Sequence, residues 1–245
     1  MDKALYTAMT GARATLRAQG TVAHNLANVS TTGFKAGTTS TETFKVPGGS
    51  LPTRIDAMPA RDGVDHSAGA ISATGGTLDV ALHDGVWLAV QAPDGSEAYT
   101  RAGELKISAD GLLTTAGGHL VLGDGGPVSL PPAQSLQIGG DGTVSIQPLG
   151  QGPETLAQVG SLKLVRVDSP AALYRGDDGL MRANGELERA TGQALTAGAL
   201  ESSNVNGPAA LVQMIELARQ FELQVKVMKD VEENARASAT LMRMG

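Results

Sequence analysis

The sequence predicts an α+β chain: N- and C-terminal helices that form a coiled-coil-like stalk, with an antiparallel β-sandwich or barrel-like domain inserted between them. Three observations carry that prediction. Apolar positions recur at alternating spacings of three and four near both ends of the 245 residues. Ten of the eleven prolines and nearly all the glycines lie between those ends. Six Asp-Gly pairs, at Asp84, Asp94, Asp110, Asp124, Asp141 and Asp178, punctuate short apolar runs in the same stretch.

The N-terminal assembly helix is placed within residues 1–35. Its seam reads Leu5, Met9, Ala12, Leu16, Gln19, Ala23 and Leu26. Two alanines and a glutamine make the seam narrow, which permits close helix approach. Gly33, after Thr31 and Thr32, is the expected stop.

Residues 36–77 show weak periodicity around Pro47, Pro52 and Pro59 and are expected to be an extended linker. From Leu78 the pattern becomes β. Expected strands are Leu78–Leu82, Val86–Val90, Ala98–Arg101, Leu105–Ile107, Leu120–Leu122, Leu136–Ile138, Val144–Ile146 and Val159–Val167. The β-rich middle domain is placed at 78–195. Asp bonds its own turn and Gly tolerates positive φ, so each Asp-Gly pair marks a tight connection.

A signature segment and the C-terminal assembly helix fill 196–245. Asn206 or Gly207 can cap the helix, and Pro208 suits its first turn. The seam reads Leu211, Met214, Ala218, Phe221, Val225, Met228, Glu232, Ala235, Ala239 and Met242, with only Glu232 polar. Val212, Ile215, Leu217, Leu223 and Val227 widen it, and a helix apolar on more than one face needs more than one partner.

The composition excludes several functions. The chain has no cysteine, hence no disulfide framework and no Cys-ligated metal. Net charge is -6, which argues against nucleic-acid binding. No run approaches the ~20 apolar residues of a membrane span, and the N-terminus lacks the pattern of a cleavable signal peptide. His24, His66, His83 and His119 have no partner at metal-ligand spacing. The string from Gly123 to Pro127 lacks the Lys and Ser/Thr of a phosphate loop and reads as a turn. Asp177 and Asp178 lack calcium-loop spacing, and Asn28-Val29-Ser30 is a chance-level glycosylation match. No nucleophile, base and orienter come together, so no catalytic residue, metal or cofactor is expected.

The segments that carry identity flank the helices. The first is Val22-Ala23-His24-Asn25-Leu26-Ala27-Asn28-Val29-Ser30-Thr31-Thr32-Gly33-Phe34-Lys35. The second is Leu195-Thr196-Ala197-Gly198-Ala199-Leu200-Glu201-Ser202-Ser203-Asn204-Val205-Asn206. Asn25, Leu26, Ala27, Asn28, Gly33 and Phe34 in the first, and Gly198, Leu200, Glu201, Ser203, Asn204, Val205 and Asn206 in the second, resemble the signatures of the flagellar rod, hook and hook-filament-junction family. His24 departs from that family's usual Asn. Within the family, the opening from Leu5 to Ala12 and the single modest β-domain look more like a proximal rod subunit than a distal one.

The resemblance implies a structural subunit of the periplasm-spanning rod of the basal body. It implies polymerisation through the terminal helices with copies of the chain and other rod subunits, and export through the flagellar type III apparatus. Two alternatives remain from the residues alone: a self-contained β-domain binding protein with an internal helical hairpin, and an enzyme whose site carries no known motif.

Overall fold

The computed structural model describes residues 2–45, 55–60, 62–148, 150 and 156–244. The chain is α+β and divides into two compact units. The first contains residues 1–28, 37–65 and 205–245; the second contains 29–36 and 66–204.

The first unit is built on two helices, α1 (Asp2–Ala27) and α2 (Gly207–Met244), packed against each other. α2 runs 38 residues, ~57 Å at 1.5 Å per residue. Its start is set by Asn206, whose Oδ1 accepts the Ala209 N–H at 3.0 Å and whose carbonyl accepts the Ala210 N–H. That choice between the two expected caps follows from chemistry, since only Asn has a side-chain acceptor. α1 ends where the Asn28 amide and side chain both donate to the His24 carbonyl, satisfying an orphan helix acceptor.

Residues expected to be extended linker carry strands instead. Thr41–Lys45 pairs antiparallel with Ile55–Pro59, which packs on α1, and Gly37–Thr38 pairs with Gly63–Val64. Their β character was masked because Phe44, Ile55 and Met58 are all about half exposed, leaving no alternation between a buried and a polar face. Pro47 and Pro52 lie outside the described residues.

The second unit is entirely antiparallel among its described strands. A six-stranded sheet runs in the order Leu173–Arg175, Met181–Ala183, Glu97–Thr100, Val86–Gln91, Leu164–Arg166, Glu188–Arg189. A three-stranded sheet joins Ala133–Ile138, Thr143–Pro148 and Ala157–Ser161, and two-stranded pairs complete the unit. Val86 to Val90 are buried on both faces, so this strand reads as a continuous apolar run. Val80, Leu82, Leu88, Leu113, Val121, Val144, Leu162 and Leu164 fill the core around it. The expected strand Val159–Val167 is broken: Ser161 ends one sheet and Leu164 begins another.

Five of the six Asp-Gly pairs within 78–195 place their Gly at positive φ. The sixth differs. At Asp124-Gly125 the following Gly126 takes the positive φ, 116°. At Asp94, Asp141 and Asp178 the carboxylate accepts the backbone N–H two residues on, the Asx turn that the pairs foretell.

Candidate assembly interface

The two predicted helical seams meet within the first unit, though not at every position. On α1, Ala12 is buried, Met9, Gln19 and Leu26 are half-buried, and Leu5, Leu16 and Ala23 face outward. Thr15 and Val22 are buried in their place. Thr15 tolerates burial because its hydroxyl donates to the Gly11 carbonyl at 3.1 Å. A Cβ on Gly11 would lie 3.3 Å from Gln224 Nε2 of α2, so the small residue permits the close approach.

On α2, Met214, Ala218, Phe221, Val225 and Met228 are half-buried, whereas Leu211 is exposed. Further along, the packed positions are Val231, Ala235 and Ser238, and Glu232 faces outward. A helix of 3.6 residues per turn drifts about 20° per heptad against a strict 3.5 repeat. Sliding the seam to Val231 relieves the polar interruption that Glu232 makes in the sequence pattern.

The opposite side of α2 carries large apolar side chains that stand exposed among the charged residues Glu216, Arg219, Lys226 and Asp230. Val212, Ile215, Leu223 and Val227 are 57%, 56%, 64% and 50% exposed. At 100° per residue they fall on one face, about half a turn away from Met214, Phe221 and Met228. Burying them would yield roughly 1–1.5 kcal/mol each. Leu241 and Met242 extend the exposed surface toward the C-terminus at 72% and 76%.

The signature residues are not all in the helices. Asn25, in α1, makes two bonds to one peptide unit: its Nδ2 donates to the Gly37 carbonyl and its Oδ1 accepts the Gly37 N–H, both at 2.8 Å. Only a side-chain amide offers both donor and acceptor at that spacing. Leu26 and Asn28 are half-buried and Ala27 is exposed.

The signature residues from Gly33 to Phe34 and from Gly198 to Asn204 gather in the second unit. Gly33 has φ +67° and donates to the Glu201 carbonyl at 2.8 Å. Phe34 accepts the Asn204 N–H on its carbonyl, and the Arg175 guanidinium lies 4.8 Å over its ring. Asn204 Oδ1 accepts the Ala36 N–H at 2.7 Å, while its Nδ2 donates to Ser67. Gly198, at φ +73°, turns the chain between Leu195–Ala197 and Ala199–Glu201; Leu200 and Ser203 are half-buried. Val205 is half-buried and starts the return into the first unit.

At the centre lies a buried ionic triad. Glu201 Oε1 accepts Lys35 Nζ at 2.7 Å and the Gly69 N–H at 2.8 Å. Its Oε2 accepts the Arg101 guanidinium at 2.6 Å. The side chains of Lys35, Arg101 and Glu201 are 2%, 3% and 1% exposed. Lys35 also donates to the Ser67 carbonyl, and Arg101 to the carbonyls of Leu82, His83 and Val86. Burial, joined by the like charge of Arg101, lowers the Lys35 pKa against the pull of Glu201. Burial alone would raise Glu201, but the Lys35 hydrogen bond, the Arg101 charge and the Gly69 N–H outweigh it and lower the carboxyl. Both groups have their hydrogen-bond partners in place.

Sequence reasoning singled out Glu201 and the Phe34-Lys35 string but missed Arg101, which lies outside both signatures. Nothing local marks it, because its partners are 15 to 100 residues away. Among the described residues no three His, Asp or Glu side chains form a metal-holding group, and no helix is long and apolar enough to cross a membrane.

The family described as "Flagella basal body rod protein" matches residues 5–35, "Flagellar hook protein FlgE/F/G D1 domain" matches 84–146, and "Flagellar basal body rod FlgEFG protein C-terminal" matches 196–241. The chain is 42% identical over 252 residues to the flagellar basal-body rod protein FlgF of Escherichia coli K12, covering all of both chains. The chain belongs to the flagellar basal-body rod protein family. FlgF of Salmonella typhimurium is also 42% identical over the full length of both, whereas FlgG of Bacillus subtilis is 30% identical over 269 residues, covering 99% of this chain and all of FlgG. Within the family the chain is therefore FlgF-like. Family members are structural rod proteins, not enzymes.

Proposed function

We propose that the chain is a structural subunit of the bacterial flagellar basal-body rod, part of the drive shaft for motility, that assembles through its terminal helices with other rod subunits. The observation that carries the mechanism is the second apolar face of α2. One face packs on α1, and on the other the side chains of Val212, Ile215, Leu223 and Val227 stand half or more exposed among the described residues. Helices of neighbouring subunits would cover it, as a head-to-tail contact that does not close into a ring.

In this reading α1 and α2 form the coiled-coil-like stalk of the proximal, periplasm-spanning rod, and the β-strands of 78–195 form the middle domain, sandwich- or barrel-like. Residues Leu5, Leu16 and Ala23, turned outward on α1, join Leu211 as further assembly positions. Docking would also stabilise the helices, which are thinly covered in a single chain. Export through the flagellar type III apparatus belongs to the same reading. A distal-rod assignment has less support, given the lower identity to FlgG.

The test is complementation of a strain lacking this gene. Leu223→Asp and Val227→Asp should leave the monomer folded, stop incorporation into basal bodies and abolish swimming. A variant that folds and still enters basal bodies overturns the proposal.

A further inference from the structure

The backbone passes into or out of the second unit at four places, after Asn28, Ala36, Asp65 and Asn204. Inside that unit, the chain segments next to these crossings are tied into one buried knot. Segment 29–36 supplies the Gly33 N–H and the Lys35 ammonium. Segment 66–70 supplies the Ser67 carbonyl, the Gly69 N–H and the Ala70 carbonyl, which accepts the Ser202 N–H. Segment 199–204 supplies both carboxylate oxygens of Glu201 and the side-chain amide of Asn204. Arg101 anchors the knot to the core by its bonds to Leu82, His83 and Val86, and Val86 begins the central strand of the six-stranded sheet.

We propose that this knot is the coupling through which the subunit passes mechanical load between its chain ends and its β-core, with Arg101 as the positioning residue that fastens it. The proposal rests on the rod reading, since only a rotating shaft supplies such a load. Every pull or twist entering the unit through the backbone reaches the knot within a few residues. Bonds that link three segments side by side share that load instead of yielding one after another. Charge-assisted bonds to a planar guanidinium fix both distance and direction, which apolar packing does not. A buried triad is a poor source of net stability compared with apolar residues of the same volume, so its geometry is the property to explain.

The test uses the full chain with Arg101→Met. Amide exchange at Gly33, Gly69 and Ser202 should accelerate on the order of tenfold or more beyond any change at Ala89 and Val121, which are bonded within the core. In a strain lacking the gene, the variant should enter basal bodies and swim in dilute medium, but lose speed more steeply than wild type as viscosity rises. Acceleration of both sets of amides by the same factor makes Arg101 a general stability residue and overturns the proposal, as does acceleration of neither. A loosened knot with wild-type swimming at every viscosity overturns it too, and so does a folded variant that fails to enter basal bodies. If Arg101→Met does not fold, Arg101→Lys, which keeps the charge but cannot serve three carbonyls and a carboxylate, is read the same way. Failure of the wild-type gene to restore swimming would instead refute the rod reading.

Discussion

Replacing Glu201 with Gln removes one negative charge from between two buried cations. The new side chain still offers Oε1 to Lys35 and the Gly69 N–H, but its NH2 faces the Arg101 guanidinium, donor against donor. One charge-assisted bond is lost outright, and both cations, each under 4% exposed, lose their counter-ion. Removing one partner of a buried pair costs about 3–5 kcal/mol. With an m-value of roughly 2–3 kcal/mol/M in urea, the midpoint of the second unit should fall by about 1–2 M. The pH dependence gives a second readout. Because the Glu201 pKa is lowered in the folded chain, its contribution is present above the unfolded carboxyl value of 4.5 and is lost as pH falls through the folded value. Wild type and variant should therefore differ most near neutrality and converge in acid. Lys35→Met on top of Glu201→Gln should recover part of the loss by removing a stranded ammonium. A Glu201→Gln midpoint within experimental error of wild type at pH 7 would refute the claim that the carboxylate holds the triad.

Other residues give independent checks. Gly33→Ala would put a Cβ at 2.2 Å from the Arg101 carbonyl carbon and oxygen in a left-handed conformation, so thermal denaturation should show a loss of at least about 2 kcal/mol. Asn25→Ala removes two bonds to Gly37 and should cost about 1–2 kcal/mol in the first unit, read by helix loss on heating at 222 nm wavelength, a probe of α1 and α2. Tyr99 is pushed up to about 12 by burial and by its hydrogen bond to Glu97; with Tyr6 and Tyr174 replaced by Phe, ultraviolet titration should show the remaining tyrosinate appearing only near that pH, and Glu97→Gln should bring it down.

The helices and turns were legible because their signals are local. Asn206 caps α2 three residues before the amide it accepts, and the Asp-Gly pairs fold on themselves. The α1 and α2 seams were legible in their middle, at Ala12 and from Met214 to Met228. They shifted where helix periodicity drifted from a strict heptad, as Val231 and Glu232 show. The triad was only half legible: Lys35 and Glu201 stood in recognisable strings, but Arg101, Ser67 and Gly69 meet them through pairings that no spacing along the chain encodes. The strands of 41–59 were hidden for another reason. A hairpin exposed on much of its surface has no buried face to impose alternation, and Phe44, Ile55 and Met58 carry no period that a reader could find.

The central claim is that the uncovered face of α2 becomes an interface between subunits, and the absence of cysteine permits a direct test. Leu223→Cys places a single thiol on that face. Labelling with a maleimide should be fast in the purified monomer and strongly slowed in isolated basal bodies from a swimming strain. Equal labelling in both states would show that the face stays open in the assembled rod and would contradict the account.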